Sequence, residues 1–243
     1  MRATTTGMEL EVDRLASELP KILGDNLVSL VLYGSAARGD ADPETSDINL
    51  MIVLEATTPA AHKAIREVLA GPVRVEPLVV QKSGFDRAQI AFALKFLSIR
   101  RNFRVLHGAN LLDLPEVSTG LMRFLSEQEI RNFRMRLTNV YVACGNRPQR
   151  YAAYLRRTST SAFVVLSDVL RTDGHDLPDE LAARLSVFDE AFGADSWALR
   201  RLLELKNKPS QIAAEADDLH AGLVSVLAAA IAWLEERWPE PRL

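Results

Sequence analysis

Two apolar runs of seven residues constrain this chain most: Leu27 to Tyr33 (LVSLVLY) and Ile48 to Leu54 (INLMIVL). A continuous apolar run of that length, bounded by turn residues, reads as a strand buried on both faces. Gly24-Asp25-Asn26 precedes the first run, Gly34-Ser35 stops it, and 39–46 is a polar loop with Gly, Asp and Pro. Helical spacing over 8–23 comes before the first strand, with Pro20 perturbing its end. A short helical turn at 36–38 separates the first strand from the loop.

The pattern continues in the same α/β manner. A helix is predicted over 59–70, with Thr57 or Thr58 near its cap and Gly71-Pro72 ending it. A third strand follows at 73–80; Pro77 has no N–H and marks a sheet edge or a bulge. One long amphipathic helix is expected over 85–101, burying Ile90, Ala93, Leu94 and Leu97, and then a last strand at 103–107 closed by Gly108. Beyond 113–120 strand-like runs vanish. Ser126-Glu127-Gln128-Glu129 reads as a capping box opening a helix to about Cys144. Further helices are predicted over 150–172, 178–188, 196–205 and, capped by Ser210, 210–237. Helices joined by short turns imply an antiparallel bundle. The expected division is therefore 1–115, an α/β (α+β) unit, and 116–243, an all-α bundle.

Composition narrows the function classes. The chain is 48% apolar and 25% charged, with a net charge of −3, a poor basis for binding nucleic acid in general. Its one cysteine, Cys144, cannot form an internal disulfide and lies in an apolar helical stretch, so it reads as packing. The N-terminus lacks a signal-peptide shape, and the most apolar window, 223–234, is shorter than the ~20 residues a bilayer span needs. A cytoplasmic protein that does not span a membrane is expected.

The chemistry sits between the two strands. Gly34-Ser35 bends a buried strand into a helix start, where glycine permits close approach and free N–H groups favour phosphate. Asp47 and Asn49, two apart on the second strand, project from one face. Glu76, on the third strand between Arg74 and Leu78, is a candidate third oxygen ligand for Mg²⁺, which takes carboxylate, water and phosphate oxygens. This stretch resembles the Gly-Ser…Asp-x-Asp signature of the nucleotidyltransferase superfamily, most nearly its small bacterial members, including aminoglycoside adenylyltransferases. The resemblance covers about 8–113 and includes Val105-Leu106-His107-Gly108 as the closing strand. It implies a nucleotidyltransferase-type mixed sheet with flanking helices. Gly34 and Ser35, with Arg38 in reach, would bind the triphosphate of an NTP substrate. Asp47, Asn49 and Glu76 would be the catalytic metal ligands for one or two Mg²⁺. The bundle matches only in kind, as an acceptor-binding or partner domain.

Asn49 departs from the family's second Asp. An amide oxygen can ligate Mg²⁺ but brings no charge to a reaction that moves a phosphoryl group. Two functions follow. The first is Mg²⁺-dependent transfer of a nucleoside monophosphate to a hydroxyl of a small, aminoglycoside-like acceptor. The second is a catalytically impaired relative that binds nucleotide or a protein partner, a homodimer included. Plainer roles stand beside the chemical ones. Glu76 also reads as a surface carboxylate paired with Arg74, and Arg38 as the partner of Asp40, Asp42 or Glu44. Arg100, Arg101 and Arg104 suit a solvated helix end. Arg147, Arg150, Arg156 and Arg157 suit a solvated face, while His175 and His220 lack metal-ligand spacing. No general base is legible; Glu127 and Glu129 qualify only by standing at an expected helix start.

Overall fold

The computed structural model describes residues 7–39, 47–113 and 115–238. Two compact units divide at Glu116 and Val117.

In the first unit, α1 (Gly7–Leu23) leads through a 3₁₀ turn into β1 (Leu27–Tyr33), α2 (Ser35–Arg38), β2 (Ile48–Leu54) and α3 (Pro59–Val68). Then come β3 (Val75–Gln81), α4 (Phe85–Ala91), α5 (Ala93–Arg101) and β4 (Phe103–Gly108). The sheet order is β3-β2-β1-β4, with β1 antiparallel to β2 and β4, and β2 parallel to β3. The two apolar runs are thus the two central strands, which explains why both of their faces are apolar. Leu30, Leu32, Ile48, Leu50 and Ile52 pack under α1 and α3. Val31, Tyr33, Met51 and Val53 face Phe85, Phe96 and Ile99 of α4 and α5. Pro77 lies on an edge strand, where its missing N–H costs no ladder bond to a further neighbour. The Thr58 hydroxyl accepts from the Ala61 N–H and caps α3, with Pro59 in its first turn. Arg14 joins α1 to α3, bonding Glu11 and the Val68 carbonyl at 2.8 Å.

Three sequence expectations change here and in the bundle. The helix expected over 85–101 is two helices broken at Phe92 (φ −117°, ψ 38°). Its buried stripe runs through Phe85, Gln89, Ala93 and Phe96, and Ile90 stays exposed. Ser126 opens no helix: α6 spans Thr119–Cys144, capped by Ser118 through the Leu121 N–H. The Ser126 hydroxyl is instead buried against Thr172 at 2.8 Å. Glu127 and Glu129 therefore lie inside α6, and the ground for treating either as a base falls away; Glu127 is ion-paired to Arg131 at 2.7 Å. The last predicted helix is likewise two, α10 (Pro209–Ala214) and α11 (Ala216–Arg237), parting at Glu215. That carboxylate is clamped by Arg201 through two bonds of 2.6 and 2.8 Å.

Between these run α7 (Pro148–Thr172), α8 (Leu181–Phe192) and α9 (Trp197–Glu204). Their core is one cluster built around Leu137, Phe163, Leu166, Phe188, Leu199 and Leu223, and Cys144 is buried in it. By length and composition α11 is apolar enough to cross a bilayer. Its inward residues, among them Leu219, Val226, Leu227 and Leu234, are packed in the bundle core.

Candidate active site

Strand direction brings the chemical residues to one end of the sheet. Because β1 runs antiparallel to β2, its last residue, Tyr33, pairs with Asn49 near the start of β2. Because β3 runs parallel to β2, Asn49 pairs in turn with Glu76. Phe103 of β4 completes the row beside Tyr33. Asp47 precedes Asn49 by two residues and keeps its face, the one that further along carries Met51 and Val53 over α4 and α5.

The Gly34-Ser35 bend closes this end. Gly34 has φ 78° and ψ −150°, a conformation open essentially to glycine. A side chain there would also begin 3.4 Å from Asn49 Nδ2, so the bend lies directly against the second strand. The Gly34 N–H donates to the Asn102 carbonyl at 3.2 Å, while its carbonyl accepts from Ala37 and Arg38. In a helix this short, the N–H groups of Ser35 and Ala36 have no intrahelical acceptor. Arg38 ends α2 and is exposed; Asp40, Asp42 and Glu44, its sequence-level partners, lie outside the described residues.

Charge at this sheet end is shared by three side chains. Arg74 contacts Glu76, and its Nε stands 3.6 Å from Asp47 Oδ1. All three are partly exposed, with Asp47 the most covered at 33%. Asn49 Nδ2 lies 3.4 Å from the Asp47 carbonyl, a long contact that leaves the amide largely uncommitted. Glu76 is therefore both what its plainer reading foresaw, an Arg74 partner, and a member of the Asn49 row.

Two residues belong to this end that sequence reasoning did not select. The Tyr33 phenol is pushed up to about 12 by burial and by the negative charge of Glu76. Lys95, from α5, stands 5.0 Å above the Tyr33 ring. Tyr33 carried a signal, since it ends the strand before the bend; Lys95 carried none, because its arrival depends on how α5 packs.

A divalent ion would find two carboxylates and one amide oxygen here. Asp47 and Glu76 both contact the Arg74 guanidinium, through different nitrogens. That donor set fits one Mg²⁺ completed by water and phosphate oxygens, and is one carboxylate short of a symmetric two-ion site. Among the described residues no three His, Cys, Asp or Glu converge on a metal position.

Comparisons with known proteins bear on the domain and its fold. The nucleotidyltransferase domain family model matches residues 12–104. Among solved structures, the chain is similar to the spectinomycin adenyltransferase AAD(9) from Enterococcus faecialis, crystallised with ATP and spectinomycin. The TM-score is 0.52 at 14% identity, over 95% of this chain and 99% of that one, a likeness of fold. No curated protein matches the chain in sequence. Residues 12–104 thus match the nucleotidyltransferase domain family in sequence, and the chain shares its fold with the adenyltransferase.

Proposed function

We propose that this chain transfers a nucleoside monophosphate from an NTP to a hydroxyl of a small-molecule acceptor, with Mg²⁺. One observation carries the reading. The Gly34-Ser35 bend rests against Asn49, at the sheet end where Asp47 and Glu76 both contact Arg74. In the reaction the acceptor oxygen bonds to the α-phosphorus. The bond to the bridging oxygen breaks, pyrophosphate leaves, and the hydroxyl proton passes to a base. The N–H groups of Ser35 and Ala36, which have no intrahelical acceptor, and the Ser35 hydroxyl would hold the leaving phosphates, with Arg38 as a further cation. Asp47, Glu76 and the Asn49 amide would hold Mg²⁺, which would supply charge neutralisation for the moving phosphoryl group. Arg74 must then leave the carboxylates, and the triphosphate gives it a new anionic partner.

The neighbour's ATP and spectinomycin support ATP as donor and an aminoglycoside-like acceptor. The net charge of −3 suits a small cationic acceptor better than nucleic acid, and a cytoplasmic setting fits such an enzyme.

A second reading is a nucleotide- or partner-binding module without turnover. It is favoured by Asn49 and by Arg74, which together take one negative charge from the site and place a cation within it. Pyrophosphate release separates the two. The natural chain is incubated with Mg²⁺, each NTP and a panel of hydroxylated acceptors including spectinomycin. Acceptor-dependent release supports the enzyme. Release by Asn49→Asp alone supports the module, and release by neither removes the transferase reading.

A further inference from the structure

The bundle unit holds a cavity to none of whose lining residues the proposed transfer assigns a role. It lies where the α6–α7 turn meets the first turn of α11, and its volume is about 250 Å³. Cys144, Tyr151 and Ala216 line it as buried residues, while Asn146 and Asp217 are exposed at its rim and Tyr141 is half-buried. The space suits a small organic molecule, being somewhat below the ~300–1,000 Å³ of drug-sized pockets.

Its aromatic wall is held in place. The Tyr141 ring lies flat on His220, with centroids 3.9 Å apart and planes 6° apart. Tyr151 meets Tyr141 edge to face at 5.1 Å, and its hydroxyl is bonded to His220 Nδ1 at 2.6 Å. Burial holds the His220 imidazole below its ordinary range, so it places no positive charge here near neutral pH. The Tyr141 hydroxyl donates to Asp217 Oδ1 at 3.0 Å. Among the described residues no Lys or Arg pairs with Asp217. Arg147, in the adjoining turn, is directed onto the Cys144 carbonyl at 3.2 Å. A carboxylate left without a cation, beside fixed aromatic rings, is the arrangement that recognises positive charge on a small carbon frame.

We propose that this cavity is a binding site for a small organic ammonium ion, seated with its charge on Asp217 and its carbon atoms against Tyr141 and Tyr151. The proposal does not depend on the transferase reading, since every lining residue lies in the bundle unit. The plainer role of Asp217 is to complement the α11 dipole alongside Asp218. The two roles separate in one experiment.

Choline is titrated into the full chain, without nucleotide, while the amide resonances of Gly145, Asn146 and Asp217 are followed by NMR. The comparator is choline's neutral carbon isostere, in which a tert-butyl group replaces trimethylammonium. Choline should move these resonances with a Kd on the order of 1 mM, and the isostere should bind roughly tenfold more weakly. Asp217→Asn and Tyr141→Leu should each weaken choline by a similar factor, whereas Asp218→Asn should leave it unchanged. Equal binding of the two probes, unaltered binding to Asp217→Asn, or no movement of these resonances would overturn the proposal.

Discussion

The two units treat polar groups in opposite ways. At the sheet end of the first unit, Asp47, Arg74 and Glu76 are partly exposed and, among the described residues, linked to one another, and the Asn49 amide has one long contact there. In the bundle, the buried Arg184 and Ser126 side chains are bonded into the fold. The Arg184 guanidinium donates to the Pro178 and Asp179 carbonyls and to the Ser167 hydroxyl, and Ser126 meets Thr172. A polar group committed to backbone carbonyls holds structure, while one kept at a strand end with solvent access is free to exchange its partner for a ligand. The difference teaches which substitutions should separate activity from stability.

The sharpest way to break that contrast is to remove one group from each side. Asp47→Ala should lower transferase turnover by about 10²–10³, the scale for losing one pre-positioned electrostatic group, with stability changed by no more than about 0.5 kcal/mol. Turnover assays and urea unfolding on the same sample read both. Arg184→Ala should do the reverse, costing about 1–3 kcal/mol because it removes charge-assisted bonds from a buried guanidinium, including the one to the buried Ser167 hydroxyl, with turnover per folded molecule unchanged. If Asp47→Ala unfolds the chain, or Arg184→Ala leaves its melting temperature unmoved, the contrast fails.

Gly34 joins the two categories, because the bend proposed to hold the triphosphate also depends on its backbone conformation. Gly34→Ala should cost about 1–3 kcal/mol from the backbone conformation alone. It should also weaken nucleotide binding, since the new methyl meets Asn49. Chemical denaturation and calorimetric titration measure the two losses.

The smallest effect concerns pH. The folded imidazole of His220 lies below its unfolded value, so its contribution is complete above about 6.5 and is lost as pH falls through the lower folded value. Melting curves between pH 7 and 5 should show a decline that His220→Gln reduces. An identical decline in both proteins would remove His220 as its source.

How far sequence carried depended on whether the signal was local. The seven-residue runs bounded by turn residues gave both central strands, Pro77 marked an edge, and Thr58 marked a cap. Local chemistry also placed Gly34, Ser35, Asp47 and Asn49 near one another, because only a bend and a loop separate them. What sequence did not give was decided by packing. Phe92 breaks a helix without Gly or Pro, Ser118 caps α6 while Ser126 turns inward, and Glu215 divides the last two helices beside Arg201. The sharing of Arg74 between Asp47 and Glu76 needed the parallel β2–β3 register, which no local pattern specifies. The roles of Asp47, Asn49, Glu76 and the Gly34-Ser35 bend rest on this convergence and on the proposed reaction.

The most direct measurement is the melting temperature of the natural chain and of Asp47→Ala, each with Mg²⁺ alone and with Mg²⁺ plus ATP, GTP, CTP or UTP. A site for a magnesium-bound triphosphate at this sheet end predicts a rise with at least one nucleotide in the natural chain, about 2.7 kcal/mol of added stability at a hundredfold excess over Kd, and its loss in Asp47→Ala. No rise with any nucleotide, or an equal rise in both proteins, would contradict it.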